Sequence, residues 1–189
     1  MIDITIDHKS FDGKTVLQNI RLQLQPGELV CLLGPSGCGK TTLLNILAGL
    51  DTEFEGIVGN SLCTYMFQEP RLLPWRSLRD NLTLVRNDPQ RIDELLELSG
   101  LSDSQHQYPS RVSLGMQRRA ALARCLLMDP DLVLLDEPLV SLDARMADIM
   151  RQQIKRMRNR NPQLTILYVT HDIPEAVALA DRLVVLGGR

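Results

Sequence analysis

No apolar run in this 189-residue sequence approaches the roughly 20 residues that a membrane-spanning helix needs. The longest, LVCLLG, DLVLLD and RLVVL, are of strand length, so the chain does not cross a bilayer by itself. Nor is there an excess of charge of either sign. The 21 Lys and Arg residues stand against 23 Asp and Glu, and a net charge of −2 gives no support for a nucleic-acid-binding surface. Any phosphate ligand must therefore be held locally. The four cysteines, Cys31, Cys38, Cys63 and Cys125, lack zinc-type spacing, and no secretory signal precedes them, which predicts a reduced, cytosolic chain. Internal repeats, low-complexity tracts and coiled-coil heptads are also missing. What remains is an ordinary globular composition, 44% hydrophobic and 23% charged, at a length that fits one domain or one core with an appended subdomain.

Residues 2–6, IDITI, and 20–25, IRLQLQ, alternate apolar and polar and read as half-buried strands of an antiparallel layer. Pro26-Gly27 marks a turn before ELVCLL, a continuous apolar run ending at Gly34. From Lys40 to Leu50 the pattern becomes helical, with Leu43, Leu44 and Leu47. DLVLLD at 131–136 and TILYVT at 165–170 are further continuous runs, each followed by a helical pattern, and RLVVL forms a last strand before Gly187-Gly188-Arg189. Runs of this kind alternating with helices predict an α/β fold whose parallel sheet is covered on both faces. Asp172-Ile173-Pro174-Glu175 is a good N-cap with proline in the first turn. Residues 76–129 show only helical patterns, such as Ile92, Leu95 and Leu96 on one face, and predict an inserted helical subdomain. A helix from about 142 to 159 carries Leu142, Met146, Ile149, Met150, Ile154 and Met157 in one stripe, which reads as core packing. Its basic tail, KRMRNR, is expected to complement the helix C-terminus and face water.

Chemistry concentrates at Gly34-Pro35-Ser36-Gly37-Cys38-Gly39-Lys40-Thr41, which satisfies G-x-x-x-x-G-K-[ST] between a strand and a helix, with Thr42 next in line. Glycines there let backbone N–H groups curl around phosphate oxygens, the lysine reaches the terminal phosphates, and the Thr41 hydroxyl suits Mg²⁺. Nearly a hundred residues on, LVLLDEP sets Asp136 and Glu137 at the carboxyl end of a buried strand, the edge where ligands of parallel sheets bind. Asp136 would hold the Mg²⁺ shell, and Glu137 would polarise a water for in-line attack. Gln68 in MFQEP is suited to meet both Mg²⁺ and that water, and His171 in VTHD to meet a γ-phosphate, although either residue alone would ordinarily be structural or at the surface. Phe11 reads both as a base-stacking ring and as an apolar turn anchor.

GPSGCGKTT, MFQEPRLLPW, SLGMQRRAALAR, LLDEPLVSLD and VTHDIPEAVALADR, in that order over essentially the whole chain, resemble the ATP-binding subunits of ATP-binding cassette (ABC) transporters. They match the family's phosphate loop, glutamine loop, signature, acidic strand with its Asp loop, and histidine switch. The resemblance implies a P-loop NTPase with a RecA-like core, an antiparallel β layer and an inserted helical subdomain. Residues 1–189 would form one nucleotide-binding domain, with the core at approximately 1–68 and 130–189 and the helical part at approximately 69–129. It also implies Mg²⁺ and ATP held by Phe11 and Gly34 to Thr42, with Gln68, Asp136, Glu137 and His171 acting on them. Ser113, Leu114, Gly115 and Met116 would face ATP held by a second subunit in a head-to-tail dimer, and Asp143 would lie at the dimer seam. The segment Gln68 to Trp75 would receive a cytoplasmic helix of a separate integral membrane permease. LLPW and THDIPEAVALADR are similar to importers of nitrate, sulfonate, taurine and thiamine precursors, which implies a peripheral place on the inner face of the membrane and an extracytoplasmic solute-binding protein.

Three features depart from the family. Lys40 and Gln68 stand only 28 positions apart, so a strand or hairpin of the antiparallel layer is expected to be cut down, and no regulatory C-terminal domain is expected after the last strand. Val140-Ser141-Leu142-Asp143 lacks the usual small residue before the Asp loop's alanine or glycine. Most pointedly, Val-Ser-Leu-Gly-Met replaces Leu-Ser-Gly-Gly-Gln, and Leu114 would strain the chain if its site needs φ > 0. That leaves, beside the transport ATPase, an ATP-gated dimerising module with little hydrolysis, or the ATPase of an exporter or lipid-transport system. No Asn-Lys-x-Asp motif supports a GTPase.

Overall fold

The chain opens with a long hairpin, β1 (Ile2–Phe11) and β2 (Lys14–Leu24), paired antiparallel from Ile2↔Leu24 to Phe11↔Lys14. Its two-residue turn needs left-handed backbone at both positions, and Asp12 (φ 48°) and Gly13 (φ 76°) supply it. In the computed structural model, which describes residues 1–187, the elements that follow are β3 (Leu29–Leu33), α1 (Lys40–Leu47), β4 (Glu55–Val58) and β5 (Cys63–Met66). Three helices come next, α2 (Leu78–Thr83), α3 (Pro89–Leu98) and α4 (Leu114–Leu126), with 3₁₀ turns at Ser102–Ser104 and Pro109–Arg111. The chain continues through β6 (Leu132–Asp136), α5 (Ala144–Arg160), β7 (Thr165–Val169), α6 (Ile173–Leu179) and β8 (Arg182–Val185). Gly188 and Arg189 lie outside the described residues.

Two sheets result. One is antiparallel in the order β2-β1-β4, and the other parallel in the order β5-β6-β7-β3-β8. β3, β6 and β7 are buried along their whole lengths because each faces a hydrophobic layer on both sides. Successive residues alternate between the layers. Leu29, Cys31, Leu33, Val133, Leu135, Ile166 and Tyr168 pack with α2 to α6, whereas Val30, Leu32, Leu132, Leu134, Leu167 and Val169 pack with α1 and the antiparallel sheet. Burial pushes the Cys31, Cys63 and Cys125 thiols up to about 12, and all four cysteines are free, so these three behave as apolar packing residues.

Some boundaries differ from expectation for local reasons. Helix α1 stops at Leu47 rather than continuing to Leu50, because Gly49 (φ 69°) turns the chain while Leu50 N–H donates to Asn45 O at 2.9 Å and Gly49 N–H to Ile46 O at 3.0 Å. β4 and β5 have no counterpart in the sequence pattern: β4 is mostly exposed and contains Gly56, and β5 is a four-residue sheet edge. The methionine stripe of α5 does form core, with Met150, Ile154 and Met157 buried, but Leu142 precedes the helix, which Asp143 caps. The basic tail of α5 divides. Lys155, Arg156 and Arg160 are exposed, while Arg158 turns inward to donate to Gly27 O at 3.2 Å and to the Asp181 carboxylate.

The start of β3 is tied to the start of β8 by a two-pronged pair: Arg182 donates from Nε to Glu28 Oε1 at 2.6 Å and from Nη2 to Oε2 at 2.9 Å. The guanidinium holds the Glu28 carboxyl below its ordinary value of 4.5. A lowered acid stabilises the fold above its unfolded pKa, and that contribution disappears as pH falls through the native value. Glu28→Gln is expected to cost under about 1 kcal/mol at pH 7, as the pair is partly solvated, and less at pH 3. Denaturant titrations of both proteins at the two pH values check this.

Candidate functional site

The parallel sheet brings three strand ends together, because β6, β7 and β3 are adjacent and point the same way. Residues 34–39 leave β3 and enter α1, whose first-turn amides have no intrahelical partners and favour an anion. The loop is closed by Cys38 N–H donating to Pro35 O at 3.3 Å. Two glycines are dictated by sterics. A Cβ on Gly34 would lie 2.7 Å from both Cys38 Sγ and Leu186 O, and one on Gly39, at φ 101°, would lie 2.6 Å from Leu17 Cδ2. Lys40 is buried, and its ammonium donates to Gly34 O at 2.7 Å and Pro35 O at 2.9 Å, bracing the loop from inside. Ser36, Gly37, Gly39, Lys40, Thr41 and Thr42 line a cleft of about 240 Å³ with Val16 and Glu137.

Across that cleft stands the acidic strand end. Asp136 Oδ2 accepts from Thr41 Oγ1 at 3.2 Å and from the Tyr65 hydroxyl at 2.9 Å. Burial raises the Asp136 carboxyl from its ordinary range, and the two hydroxyl donors oppose that shift. Glu137 has φ 45°, a left-handed conformation rare for a residue with a Cβ, and its N–H donates to Val169 O at 3.0 Å. The bend turns its side chain toward the end of β7, where Glu137 Oε1 lies 3.1 Å from His171 Nδ1. His171 sits just before α6, whose N-cap Asp172 accepts from Glu175 N–H at 2.9 Å. Gln68 lines an adjoining cleft with Thr41 and Asp136, so it joins the same cluster.

The remaining expected residues lie apart from this cluster. Phe11 is half exposed at the end of the β1–β2 hairpin, with the Lys9 ammonium 4.4 Å from its ring centre. Ser113 caps α4, its Oγ accepting from Met116 N–H at 3.2 Å, and neither it nor Leu114, Gly115 or Met116 lines the two clefts. Leu114 is the first residue of the helix and does not have positive φ, so the anticipated backbone strain is absent and its side chain simply stands 40% exposed. Gly115 faces α5, since a Cβ there would come 3.2 Å from Met146 Sδ. Asp143 caps α5 by accepting from Met146 N–H at 2.9 Å, and it is the Met146 side chain that lies next to Gly115 of α4.

Two residues that carry no role in the sequence reading belong to the site. One is Tyr65, the second hydroxyl on Asp136. The other is Arg118, which is 3% exposed and donates to Pro138 O at 2.9 Å, to Val140 O and to Gln68 O at 3.5 Å. It joins α4 to the segment after Glu137 and to the Gln68 loop without any carboxylate partner among the described residues. Burial lowers its pKa, although a guanidinium stays charged.

A glycine loop at a helix head, a lysine within it, a hydroxyl shared with a strand-end aspartate and a bent glutamate beyond define a phosphate-loop nucleoside triphosphatase. The chain belongs to the ABC transporter family, whose model matches residues 17–140. It is 43% identical to the aliphatic sulfonates import ATP-binding protein SsuB 1 of Pseudomonas savastanoi pv. phaseolicola, over 100% of this chain and 81% of that protein. Against SsuB of Bacillus subtilis (strain 168) the identity is 42%, over 98% of this chain and 79% of that one. Among solved structures, a dimeric structure of MJ0796, a bacterial ABC transporter cassette, superposes with a TM-score of 0.84 at 26% identity, covering 98% and 94% of the two chains. A post-hydrolysis dimer of the same cassette, bound to ADP and Pi, gives 0.81 at 27% identity with the same coverage.

Removing the buried guanidinium should loosen the site from behind. Arg118→Met, which keeps much of the volume but leaves three carbonyls without their donor, is expected to cost about 2–4 kcal/mol of stability. It should also reduce nucleotide-dependent turnover by more than Arg119→Met, whose guanidinium reaches only Ser99 O and Gly100 O. Thermal melts with parallel phosphate-release assays measure both.

Proposed function

We propose that this chain is the ATP-hydrolysing subunit that energises solute import through a separate membrane permease. The observation that carries the reading is the Thr41–Asp136 hydrogen bond beside the glycine loop, with the Glu137–His171 contact at the same sheet edge. The relatives named for aliphatic sulfonate import support import over export, and we infer a small organic anion of that class as the solute. No helix among the described residues is long and apolar enough to cross a membrane. The relatives' naming as import ATP-binding proteins supports a permeation path in a separate permease, on whose cytoplasmic side this subunit would sit.

The residues suit Mg-ATP. The Thr41 hydroxyl and the Asp136 carboxylate, 3.2 Å apart beside the glycine loop, are hard oxygen donors of the kind that Mg²⁺ takes together with nucleotide phosphates. Thr41 Oγ1 would ligate Mg²⁺, Asp136 and Gln68 would complete its shell through water, and the ion supplies charge neutralisation on the β- and γ-phosphates. Lys40, with the amides of the loop and of the first turn of α1 including Thr42, would bind those phosphates. Glu137 would orient and polarise the attacking water, and His171, held against Glu137, would contact the γ-phosphate. Phe11 would stack on the adenine, with Lys9 behind its ring.

We read Ser113, Leu114, Gly115 and Met116 as a surface for the γ-phosphate held by a second cassette, since they lie outside this chain's own clefts. Asp143 would then stand at the seam, and approximately 69–129 would act as the helical unit that carries the signature. A solute-binding protein outside the membrane would complete the system. Glu137→Gln is expected to retain ATP binding and to lose at least about a hundredfold in turnover. Leu114→Gly should alter turnover by less than about tenfold, because Ser113, Gly115 and the helix amides remain as donors. Purified chain, alone and with its permease, tests these in a coupled ATPase assay. Absence of hydrolysis in both settings, with Glu137→Gln indistinguishable from the parent, would exclude the reading.

A further inference from the structure

The hydroxyl of Tyr65 reaches the strand-end carboxylate from the side away from the glycine loop. β5 pairs parallel with β6 so that Tyr65 stands beside Leu134 and Met66 beside Leu135. From there the phenol donates to Asp136 Oδ2, the same oxygen that accepts from Thr41, while Oδ1 makes no hydrogen bond among the described residues. Two donors on one oxygen restrict the rotation of the carboxylate about its side-chain bonds and leave the other oxygen without a hydrogen-bond partner among the described residues. Donors of this kind behind a metal-binding carboxylate orient it, and their loss ordinarily costs affinity for the metal.

Tyr65 is itself held. Its ring stacks on Phe67, with centroids 4.0 Å apart and planes inclined by 26°, and the Arg71 guanidinium lies 3.6 Å from the Phe67 ring centre. Arg71 takes φ 46°, and its carbonyl accepts from Arg124 Nη1 at 2.9 Å while Pro70 O accepts from Nη2 at 3.0 Å. A stacked column therefore runs from the Asp136 carboxylate through the Gln68 loop to a footing on α4. A phenol carries its proton at neutral pH, so toward the carboxylate the Tyr65 hydroxyl is the donor.

We propose that Tyr65 is a positioning residue for Asp136, the carboxylate that holds the metal's water shell, and is itself held in place by Phe67 and Arg71, so that the metal site is braced by the Gln68 loop. This rests on the reading of Asp136 as a ligand of the metal through water. The test compares the affinity of a fluorescent ATP analogue in Mn²⁺ with its affinity in EDTA, for the parent chain, Tyr65→Phe, Asp136→Asn and the double variant. Tyr65→Phe keeps the ring stack and removes only the hydroxyl. It is expected to bind the analogue about tenfold more weakly in Mn²⁺ and unchanged in EDTA, with the double variant no weaker than Asp136→Asn. Unchanged or tighter Mn²⁺-dependent binding in Tyr65→Phe beside a weakened Asp136→Asn would overturn the proposal and leave the ligand reading standing. Equal weakening with and without metal would also overturn it, by assigning Tyr65 a structural role alone. If Asp136→Asn itself lost nothing in Mn²⁺, the ligand reading would fall, and the proposal with it.

Discussion

Everything at this site depends on three neighbouring strands being buried on both faces. β3, β6 and β7 have no polar face to offer water, so they occupy the middle of the sheet, and parallel pairing puts their carboxyl ends side by side. The glycine loop, Asp136 with Glu137, and Thr170 with His171 are then the residues that must follow each strand where it leaves the core. Their distances of about 3 Å, across 95 residues of sequence for Thr41 and Asp136 and 34 for Glu137 and His171, come from strand register, Leu135 facing Tyr168 and Cys31 facing the same tyrosine. Two hydrophobic layers thus act as the jig for a polar cluster that has little apolar material of its own.

A second constraint lies in the segment after β6. Glu137 and Ser141 both have positive φ, at 45° and 61°, which costs on the order of 1–3 kcal/mol at each residue. Such a bend persists only if its surroundings specify it. Glu137 N–H is fixed to β7, Val140 N–H returns to Glu137 O at 3.2 Å, and Arg118 grips the carbonyls of Pro138 and Val140. That guanidinium projects from α4, five residues beyond Ser113. The segment after the strained glutamate and helix α4 are consequently joined through one buried side chain.

How much of this the sequence discloses depends on whether a residue's partners are local. The loop from Gly34 to Thr42 is legible because strand, turn and helix follow each other directly, and the Asp136-Glu137 pair because a continuous apolar run announces the strand end. Tyr65 is not legible. Its strand is four residues at a sheet edge, and its partner Asp136 is 71 positions away. Arg118 did leave a signal: with Ala121, Leu122 and Cys125 it falls at i, i+3, i+4 and i+7, all buried, so a charge stands on an apolar stripe and requires partners. Leu114 misleads in the opposite sense. Measured against a family glycine it suggests a left-handed site, yet Ser113 provides the extended cap residue and the following position is ordinary helix.

A chain of net charge −2 has no general attraction for a polyphosphate, and the site's electrostatics are built accordingly from short-range, oriented groups. Lys40 is anchored by two carbonyls of the loop it serves, which fixes a positive charge among amide donors at the head of α1. Opposite it, the carboxylate of Asp136 is tethered by two hydroxyls and that of Glu137, on the cleft wall, lies against an imidazole, so each acid is held by its own partner. Positive and negative groups are therefore separated by hydrogen bonds to their own supports instead of pairing with each other. That separation leaves the amide-rich glycine loop and Glu137 as facing walls of one cleft, with Asp136 in the cleft adjoining it.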